Sequence, residues 1–337
     1  MLNKQVNDSV FSAIYIEEEV SDYPRVKQIL ERFPDIPHVS CGRYGEIFNR
    51  NSQNFRLQKR APALILAKKY GKMVLPAPEG YGFKGGKTFY FSHMLNCVYD
   101  CRYCFLQGMY RSANYVLFVN YEDFEAALRE TMQGCPGAST FYSGYDCDSL
   151  ALEPVSDFCK FFLPTFAENP RGILELRTKS TQIRSLLEAP PLANCVVAMS
   201  FTSHEAYHQW EHKVPAIGKR IEALQKLQQA GWPVALRFEP LIADLAMVDH
   251  YQRLFEEVFA ALNIAAIHSV SIGEFRMPSD FMKNIVKLYP DEALFARPTQ
   301  AREGLMWLKQ SESESIPQIE DLLMGFISRE QYYRCTI

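Results

Sequence analysis

The sequence of 337 residues contains no apolar run approaching 18 residues, so we expect no membrane-spanning helix. Its first 20 residues have neither the apolar core nor the cleavage-type end of a signal peptide, and none is expected. Nine cysteines are present, an odd number, and outside one short segment their spacing is irregular. This usage does not suit a disulfide framework and favours a reducing compartment. We therefore expect a cytoplasmic protein without a membrane partner.

The composition is that of a globular protein, with 47% hydrophobic and 22% charged residues, and it allows a sizeable core. The net charge of −3 is unevenly distributed. Residues 50–90 carry nine Lys or Arg and one Glu, a local charge of +8, which leaves −11 for the rest of the chain. Such a basic segment could contact the phosphate backbone of DNA. A solvated face that only keeps the protein soluble is an equally good interpretation.

From residue 87 onward, strand-like and helix-like runs alternate. The strand-like runs are 87–92, 138–143, 173–178, 196–201, 234–238 and 267–272, and the helix-like runs are 121–134, 155–169, 181–189, 216–231 and 248–263. Earlier runs predict strands at 12–19 and 62–69 and a helix at 26–33. The alternation predicts an α/β fold with a parallel sheet, either open or a partial barrel. In both architectures ligands bind at the carboxyl ends of the strands.

Three cysteines, Cys97, Cys101 and Cys104, lie within eight residues of each other, after the first strand of this series. An iron–sulfur cluster that only carries electrons uses four cysteine ligands. Three ligands would leave a coordination site open, and an open site distinguishes a catalytic metal centre from a structural one. Two alternatives remain: a zinc site with His93 as a candidate fourth ligand, and three buried thiols without a metal.

The cysteine spacing C-x3-C-x2-C, with the aromatic Tyr103 before the last cysteine, is typical of radical S-adenosylmethionine enzymes. Further segments resemble the spore photoproduct lyase family, and these are 101–107, 115–120, 178–179, Ser200, 230–233 and 287–290. The resemblance covers nearly the whole chain. It implies a partial (β/α)6 parallel barrel of the radical S-adenosylmethionine type at 87–277, preceded by a βα extension at 1–86 and followed by a C-terminal cap at 278–337, in one compact unit.

The same resemblance implies a 4Fe–4S cluster held by Cys97, Cys101 and Cys104, whose fourth iron binds S-adenosylmethionine. Members of the family use the resulting 5′-deoxyadenosyl radical to split a methylene-bridged thymine dimer in DNA without light. An electron donor such as flavodoxin or ferredoxin is implied, and DNA would contact residues 50–90. The residues that the resemblance places at the S-adenosylmethionine site are Tyr103, Phe105, Asp148, Lys179, Ser200 and Glu239.

Some positions depart from the family. Phe105 stands where the family has a tyrosine that relays the radical, and Glu239 replaces a small residue. Tyr145 stands where the family has its hydrogen-donor cysteine, and Cys147 follows two residues later. On an extended strand Tyr145 and Cys147 share a face, so Cys147 could still reach the substrate, although it could equally be a small buried residue. The candidate catalytic residues are thus Tyr103, Tyr145 and Cys147, and a related reaction on another substrate is the main alternative.

Two further hypotheses belong to other classes of protein. His204-Glu205-x-x-His208, with His212 four residues on, matches the zinc-peptidase pattern and predicts a metallopeptidase. However, a predicted strand runs directly into this motif. A non-catalytic nucleic-acid-binding module built on residues 50–90 would leave the cysteine segment unexplained. Arg177 and Arg237 lie near the ends of strands, where we expect ion pairs between strands.

Overall fold

The computed structural model describes residues 11–78, 86–242, 246–308 and 315–335. The first ten residues, which belong to the segment where no signal peptide is expected, lie outside this part. No helix in the described ranges has both the length and the apolar composition that crossing a membrane requires. None of the nine cysteines forms a disulfide.

Residues 14–67 form an N-terminal layer. Its elements are β1 (Ile14–Glu17), α1 (Pro24–Arg32), β2 (His38–Cys41), α2 (Tyr44–Phe48), α3 (Phe55–Arg60) and β3 (Leu64–Ala67). Helix α1 begins with Pro24, whose fixed φ suits the first helical position, and it buries Val26 and Ile29. Strand β1 pairs in parallel with β2 and β3. The strands predicted at 12–19 and 62–69 and the helix predicted at 26–33 are confirmed.

The next segment contributes strands to more than one sheet. It contains β4 (Leu75–Pro76), β5 (Lys87–Tyr90), β6 (Met94–Leu95), β7 (Asp100–Cys101), α4 (Leu106–Met109), β8 (Tyr115–Phe118), α5 (Tyr121–Gln133) and β9 (Ser139–Tyr142). Strands β8 and β6 extend the N-terminal sheet, whose order is β2-β1-β3-β8-β6. This sheet therefore takes strands from both sides of residue 86. Strand β8, with four buried residues, was not among the predicted strands.

The barrel is completed by alternating helices and strands. They are α6 (Glu153–Ser156), α7 (Phe158–Ala167), β10 (Gly172–Thr178), α8 (Arg184–Glu188), β11 (Cys195–Ser200), α9 (His204–Trp210), β12 (Glu211–His212), α10 (Ile217–Gln229), β13 (Val234–Leu241), α11 (Met247–Ala261) and β14 (Ile267–Glu274). The predicted strands from 87 to 272 are confirmed as β5, β9, β10, β11, β13 and β14, which neighbour one another in this order and pair in parallel.

Within this series, one predicted helix differs from the structure. The helix expected at 155–169 is divided into α6 and α7, because Asp157 between them adopts the left-handed conformation with φ of 49°. The other helices predicted after residue 120 correspond to α5, α8, α10 and α11. Every residue of the central strand β11 is buried, as expected for a parallel sheet that is covered on both faces.

The C-terminal part both covers and extends the barrel. Its elements are β15 (Arg276–Pro278), α12 (Ser279–Leu288), β16 (Thr299–Arg302), β17 (Leu305–Leu308), α13 (Ser315–Met324) and β18 (Tyr332–Arg334). Strands β15, β17 and β16 form a small antiparallel sheet. Strand β18 pairs in parallel with β14 and adds a strand that the sequence did not predict. The boundaries at residues 86 and 277 stay a prediction.

Candidate active site

All predicted site residues line one cavity of about 280 Å³ at the carboxyl ends of the barrel strands. Lys179 directly follows β10, Ser200 ends β11, and Glu239 lies near the end of β13. The complete set of predicted residues on the wall is Cys97, Cys101, Tyr103, Cys104, Phe105, Tyr145, Cys147, Asp148, Lys179, Ser200 and Glu239. The structure thus brings together residues from five separate segments of the chain.

The cysteine loop is held by the N-terminal sheet at its entry and by a separate two-stranded sheet, β7 with β12, in its middle. Strand β6 of the N-terminal sheet leads into it, and Asn96 fixes the entry by donating from its amide to the carbonyls of Ser112 and Asn114, both at 2.7 Å. In the middle of the loop, β7 pairs antiparallel with β12, so that Cys101 lies opposite Glu211. The shape of the loop therefore depends on residues more than a hundred positions later.

The three thiols of this loop are a donor set that needs compensating cations. Burial raises the pKa of Cys97 to about 12, and it also raises the pKa values of Cys101 and Cys104. Thiolates at this site thus require bound metal or nearby positive charge. In the described ranges no three or more His, Cys, Asp or Glu side chains converge on a single-ion site. The ligands of a four-iron cluster bind different irons and need not converge, so the three thiols fit such a cluster.

His93, the candidate fourth zinc ligand, lies in the hydrophobic core. Its ring packs on Phe158 with 4.3 Å between ring centroids. In the described ranges it does not converge with the cysteines on a single-ion site, so the zinc interpretation of the cysteine segment is wrong.

A buried polar network, formed by Tyr103, Lys179, Thr202, Glu211 and Arg220, lies beside the cysteine loop. Glu211 and Arg220 are fully buried and form an ion pair at 2.8 Å. The Glu211 carboxylate also accepts hydrogen bonds from the hydroxyls of Tyr103 and Thr202, and Lys179 Nζ lies 4.0 Å away. Burial opposes ionisation of Glu211, but Arg220 and Lys179 outweigh it and lower the pKa of the carboxyl.

This polar network fixes the direction of two predicted cofactor-binding side chains, Tyr103 and Lys179. Sequence reasoning missed Glu211 and Arg220, because their role arises only when β12 pairs with β7. Glu211 directly follows the helix that carries the H-E-x-x-H motif, but nothing in the local sequence marks it as a buried carboxylate.

Asp148 acts on the site through the backbone. Its carboxylate accepts hydrogen bonds from the amides of Leu150, Ala151 and Lys179 at 2.7 to 3.0 Å, and from the Thr178 hydroxyl at 2.6 Å. The carboxylate that was predicted to contact the cofactor therefore already accepts four hydrogen bonds from the protein. The geometry makes Asp148 a residue that positions Lys179.

Glu239 belongs to a set of ion pairs across the barrel strands. It accepts hydrogen bonds from Arg177 at 3.1 Å and from the Ser271 hydroxyl. Arg177 and the fully buried Arg237 both pair with Glu175. Burial disfavours the charge on Glu175, yet the two arginines lower the pKa of its carboxyl to about 2. The prediction of ion pairs between strands for the two arginines is confirmed.

An aromatic row lies near the cysteine loop, and two of its members, Phe105 and Tyr145, line the wall of the cavity. It consists of Tyr90, Tyr145, Phe105 and Phe281, with successive ring centroids 4.5, 6.0 and 6.4 Å apart. Burial raises the pKa values of Tyr90 and Tyr145, so both keep their hydroxyl protons at neutral pH. Cys147, also on the wall, is buried, and its thiol lies 3.6 Å from the Ser143 carbonyl. Burial raises its pKa as well.

The basic segment 50–90 is not one basic face. Lys59 is only 6% exposed and donates to the carbonyl of Cys97 at 2.7 Å, a role that sequence reasoning missed. Burial lowers the pKa of Lys59. Lys69 is partly buried beside the Phe118 and Phe124 rings, and Lys68 pairs with Glu19. The exposed basic residues are Arg50, Arg56, Arg60, Lys72 and Lys87, whereas Lys84 lies outside the described residues.

The H-E-x-x-H motif does not form a metal site. His204 pairs with Glu257 at 2.6 Å, and Glu205 pairs with Arg253 at 2.5 Å. His212 lies in the short strand β12, beyond the end of the helix that carries the other two histidines. The carboxylate that would act as a base is thus engaged by an arginine, and the metallopeptidase hypothesis is wrong.

The parallel half-barrel and the C-x3-C-x2-C loop at its carboxyl edge define the class: this is a radical S-adenosylmethionine enzyme. A comparison with family models then identifies the branch of that class. The model described as spore photoproduct lyase matches residues 82–303, and the chain belongs to the spore photoproduct lyase family.

Individual relatives agree with this assignment. The chain is 23% identical over 297 residues to spore photoproduct lyase from Bacillus subtilis (strain 168), covering 86% of this chain and 85% of that protein. A structure of spore photoproduct lyase complexed with dinucleoside spore photoproduct matches with a TM-score of 0.81 and 17% identity, over 97% of this chain and 99% of the other. A mutant of spore photoproduct lyase with bound AdoMet and the same dinucleoside also gives a TM-score of 0.81, at 17% identity over 97% and 98%. At this identity the structures establish the fold.

Proposed function

We propose that this chain is a radical S-adenosylmethionine lyase that repairs a thymine photoproduct in DNA without light. The observation that carries the proposal is the single cavity in which the thiols of the cysteine loop meet Lys179, Ser200, Tyr145 and Cys147. The family relationship supplies the substrate class, since relatives are named for the spore photoproduct and one binds its dinucleoside. The reaction would take place in the cytoplasm, where DNA is found and thiols stay reduced.

The residues for holding the cofactors are all on the cavity wall. Cys97, Cys101 and Cys104 would ligate a 4Fe–4S cluster, and Lys179 and Ser200 would contact S-adenosylmethionine. When bound, these groups supply the one-electron chemistry that removes a hydrogen atom from the substrate. The chain contributes orientation, because Glu211 holds Tyr103 and Lys179 while Asp148 holds the Lys179 backbone. Fixed polar groups of this kind need no reorganisation during the reaction.

A hydrogen atom must return to the product at the end of such a reaction. The cavity offers two donors, the Tyr145 hydroxyl and the Cys147 thiol, and both are protonated at neutral pH because burial raises their pKa values. The phenolic O–H and thiol S–H bonds are similar in strength, so the position of the substrate radical decides which of the two donates. Phe105, which has no hydroxyl, shapes the wall beside Tyr145.

The second candidate function is a related radical reaction on another substrate. Phe105 and Tyr145, at the positions of the family's relay tyrosine and donor cysteine, favour it. The two residues touch in the aromatic row, so both departures fall on the same part of the wall. A changed wall next to the reacting atoms would admit a different lesion or a different nucleic acid component.

DNA and an electron donor are the proposed partners. For DNA, the support is the set of exposed basic residues Arg50, Arg56, Arg60, Lys72 and Lys87. Phosphate contacts made by such residues weaken as salt rises, because counterions are released on binding. For the electron donor, the support is the need of a cluster for reduction by a partner such as flavodoxin or ferredoxin.

The deciding experiment uses anaerobically reconstituted protein with dithionite, S-adenosylmethionine and dinucleoside spore photoproduct. Conversion of the photoproduct to thymidine together with formation of 5′-deoxyadenosine is the expected result. Formation of 5′-deoxyadenosine without thymidine would keep the class of enzyme and favour the second candidate function. Formation of neither product, by protein that holds a full cluster, would contradict the proposal. The variant in which Cys97, Cys101 and Cys104 are all replaced by Ala is the negative control.

A further inference from the structure

Lys59 is a buried cation beside the cysteine loop. Its side chain comes from α3 in the N-terminal layer, its residue is 6% exposed, and its ammonium makes a hydrogen bond to the Cys97 carbonyl at 2.7 Å. No carboxylate in the described part of the chain lies within ion-pair distance of it. An unpaired charge costs several kcal/mol when it is removed from water, so a buried lysine of this kind calls for a negative charge nearby.

The position of Lys59 is fixed from both sides. The carbonyl of Lys59 accepts a hydrogen bond from Lys213 Nζ at 2.7 Å. The neighbouring Gln58 accepts one from the amide of Ala113 at 3.0 Å. Helix α3 begins at an Asn54 cap, and Phe55, one turn before Lys59, also lines the cavity. The ammonium is therefore held at the cysteine loop and is not a mobile surface charge.

Asp100, a carboxylate that acts on Lys59 from a longer distance, is paired with Arg102 at 2.7 Å, and three cysteine ligands would supply further negative charge. Lys59 lines the same cavity as Cys97 and Cys104. A cluster bound by three thiolates is anionic, and its reduced form carries one more negative charge than its oxidised form. A fixed cation in a buried site acts more strongly on such a charge than one in water, because the local dielectric constant is lower.

We propose that Lys59 is the positioning residue that supplies the counter-charge of the iron–sulfur cluster and raises its reduction potential. The inference rests on the cluster that the proposed function requires. Lys59 then belongs to the electron-transfer chemistry of the site and not to a DNA-binding face. The N-terminal layer, through α3, takes part in setting how readily the cluster accepts an electron.

The test is a potentiometric titration of reconstituted protein, followed by electron paramagnetic resonance of the reduced cluster. Lys59→Met removes the charge and the hydrogen bond, Lys59→Gln removes the charge and keeps a donor, and Lys59→Arg keeps the charge. Arg60→Gln is the matched control, because it removes an exposed charge from the next position of the same helix. Iron content is measured for every variant.

At the midpoint potential of the unmodified protein, we expect the ratio of reduced to oxidised cluster to fall about tenfold in Lys59→Met and Lys59→Gln, which corresponds to about 59 mV for one electron. Lys59→Arg and Arg60→Gln should stay close to the unmodified protein. A Lys59→Gln variant with full iron content and an unchanged potential would overturn the proposal, as would an equal shift in Arg60→Gln.

Loss of iron is also informative. If Lys59→Met and Lys59→Gln lose iron while Lys59→Arg retains it, the counter-charge is supported as a condition for holding the cluster. If all three lose iron, the shape of lysine and not its charge is needed, and the proposal fails. Protein whose cluster shows the expected potentials but which does not cleave spore photoproduct would support this inference and contradict the proposed substrate. The failure of one can therefore be distinguished from the failure of the other.

Discussion

The polar network and the aromatic row each contribute two side chains to the wall of the same cavity, but they are held together in different ways. In the polar network, Glu211 receives hydrogen bonds or charge from four side chains that come from separate segments. In the aromatic row, the rings of Tyr145 and Phe105 pack on each other and on neighbouring rings, with centroids 4.5 to 6.4 Å apart. Directional bonds fix positions, whereas ring contacts tolerate changes of size and angle. The polar network is thus rigidly defined, whereas the aromatic row tolerates more change.

We expect the largest effect when the proposed cluster ligands are removed. Replacing any one of Cys97, Cys101 and Cys104 by Ala should abolish the bound iron–sulfur cluster and all cleavage of S-adenosylmethionine, since each thiol would ligate its own iron. Iron, acid-labile sulfide and 5′-deoxyadenosine are measured. Cys147→Ala should retain the full cluster. If the variant lacking all three ligands still bound iron and sulfide, the assignment of the site would be lost.

Removing the cation of the polar network should cost stability. Arg220→Met leaves Glu211 buried without its closest positive charge, and we expect the free energy of unfolding to fall by about 3–5 kcal/mol. Urea denaturation measures the change. The control is Arg184→Met, which breaks an exposed pair with Glu188 and should cost about 1 kcal/mol or less. Equal losses of unfolding free energy in the two variants would show that the network contributes no more to stability than a surface ion pair.

Acid should weaken the ion pairs beneath Glu239, whereas the aromatic row should be insensitive to it. The pKa of Glu175 is lowered from 4.5 to about 2 in the folded protein, with burial opposing and Arg237 and Arg177 causing the shift. Its stabilising contribution is therefore complete above pH 4.5 and is lost as the pH falls towards 2. The difference in unfolding free energy between the protein and Glu175→Gln should shrink over that interval. A difference that stayed constant from pH 5 to 2.5 would disagree with the geometry.

The smallest expected effect distinguishes the two hydrogen donors. If Cys147 returns the hydrogen atom, Cys147→Ala should lower product formation at least tenfold, or about 1.4 kcal/mol in barrier height, while 5′-deoxyadenosine still forms. Tyr145→Phe should then change product formation by less than threefold. The opposite pattern would assign the donor to Tyr145. Product and 5′-deoxyadenosine are quantified in the same reaction, with cluster content as the control for folding.

Much of the barrel could be predicted from the sequence, because apolar strand-length runs alternate with amphipathic helices after residue 87. Strands β8 and β18 could not be. The first is a four-residue run that pairs with the N-terminal sheet, and the second has three residues. Strand β8 is as long as β5 and β9, but it lies between the first predicted strand and the first predicted helix, where the alternation has no place for a second strand. Strand β18 is too short to carry a periodic signal.

The candidate site shows the same limit. Cys97, Cys101 and Cys104 lie close together in the sequence, so their spacing alone indicated a metal centre. Lys59 and Glu211 bond to this loop from 38 and 108 residues away. Each also had a plausible local explanation, as part of a basic segment or of a polar stretch after a strand. Their burial depends on tertiary contacts that no local pattern contains.

The pairing of Cys101 with Glu211 also has a consequence for the order of synthesis. The three cysteines leave the ribosome about a hundred residues before β12, the strand that completes their loop. Until that strand has been made, the thiols have no fixed arrangement to offer to a metal donor. Cluster insertion must therefore follow the synthesis of most of the barrel, and a chain that ended before residue 211 would carry the full cysteine motif without being able to shape it.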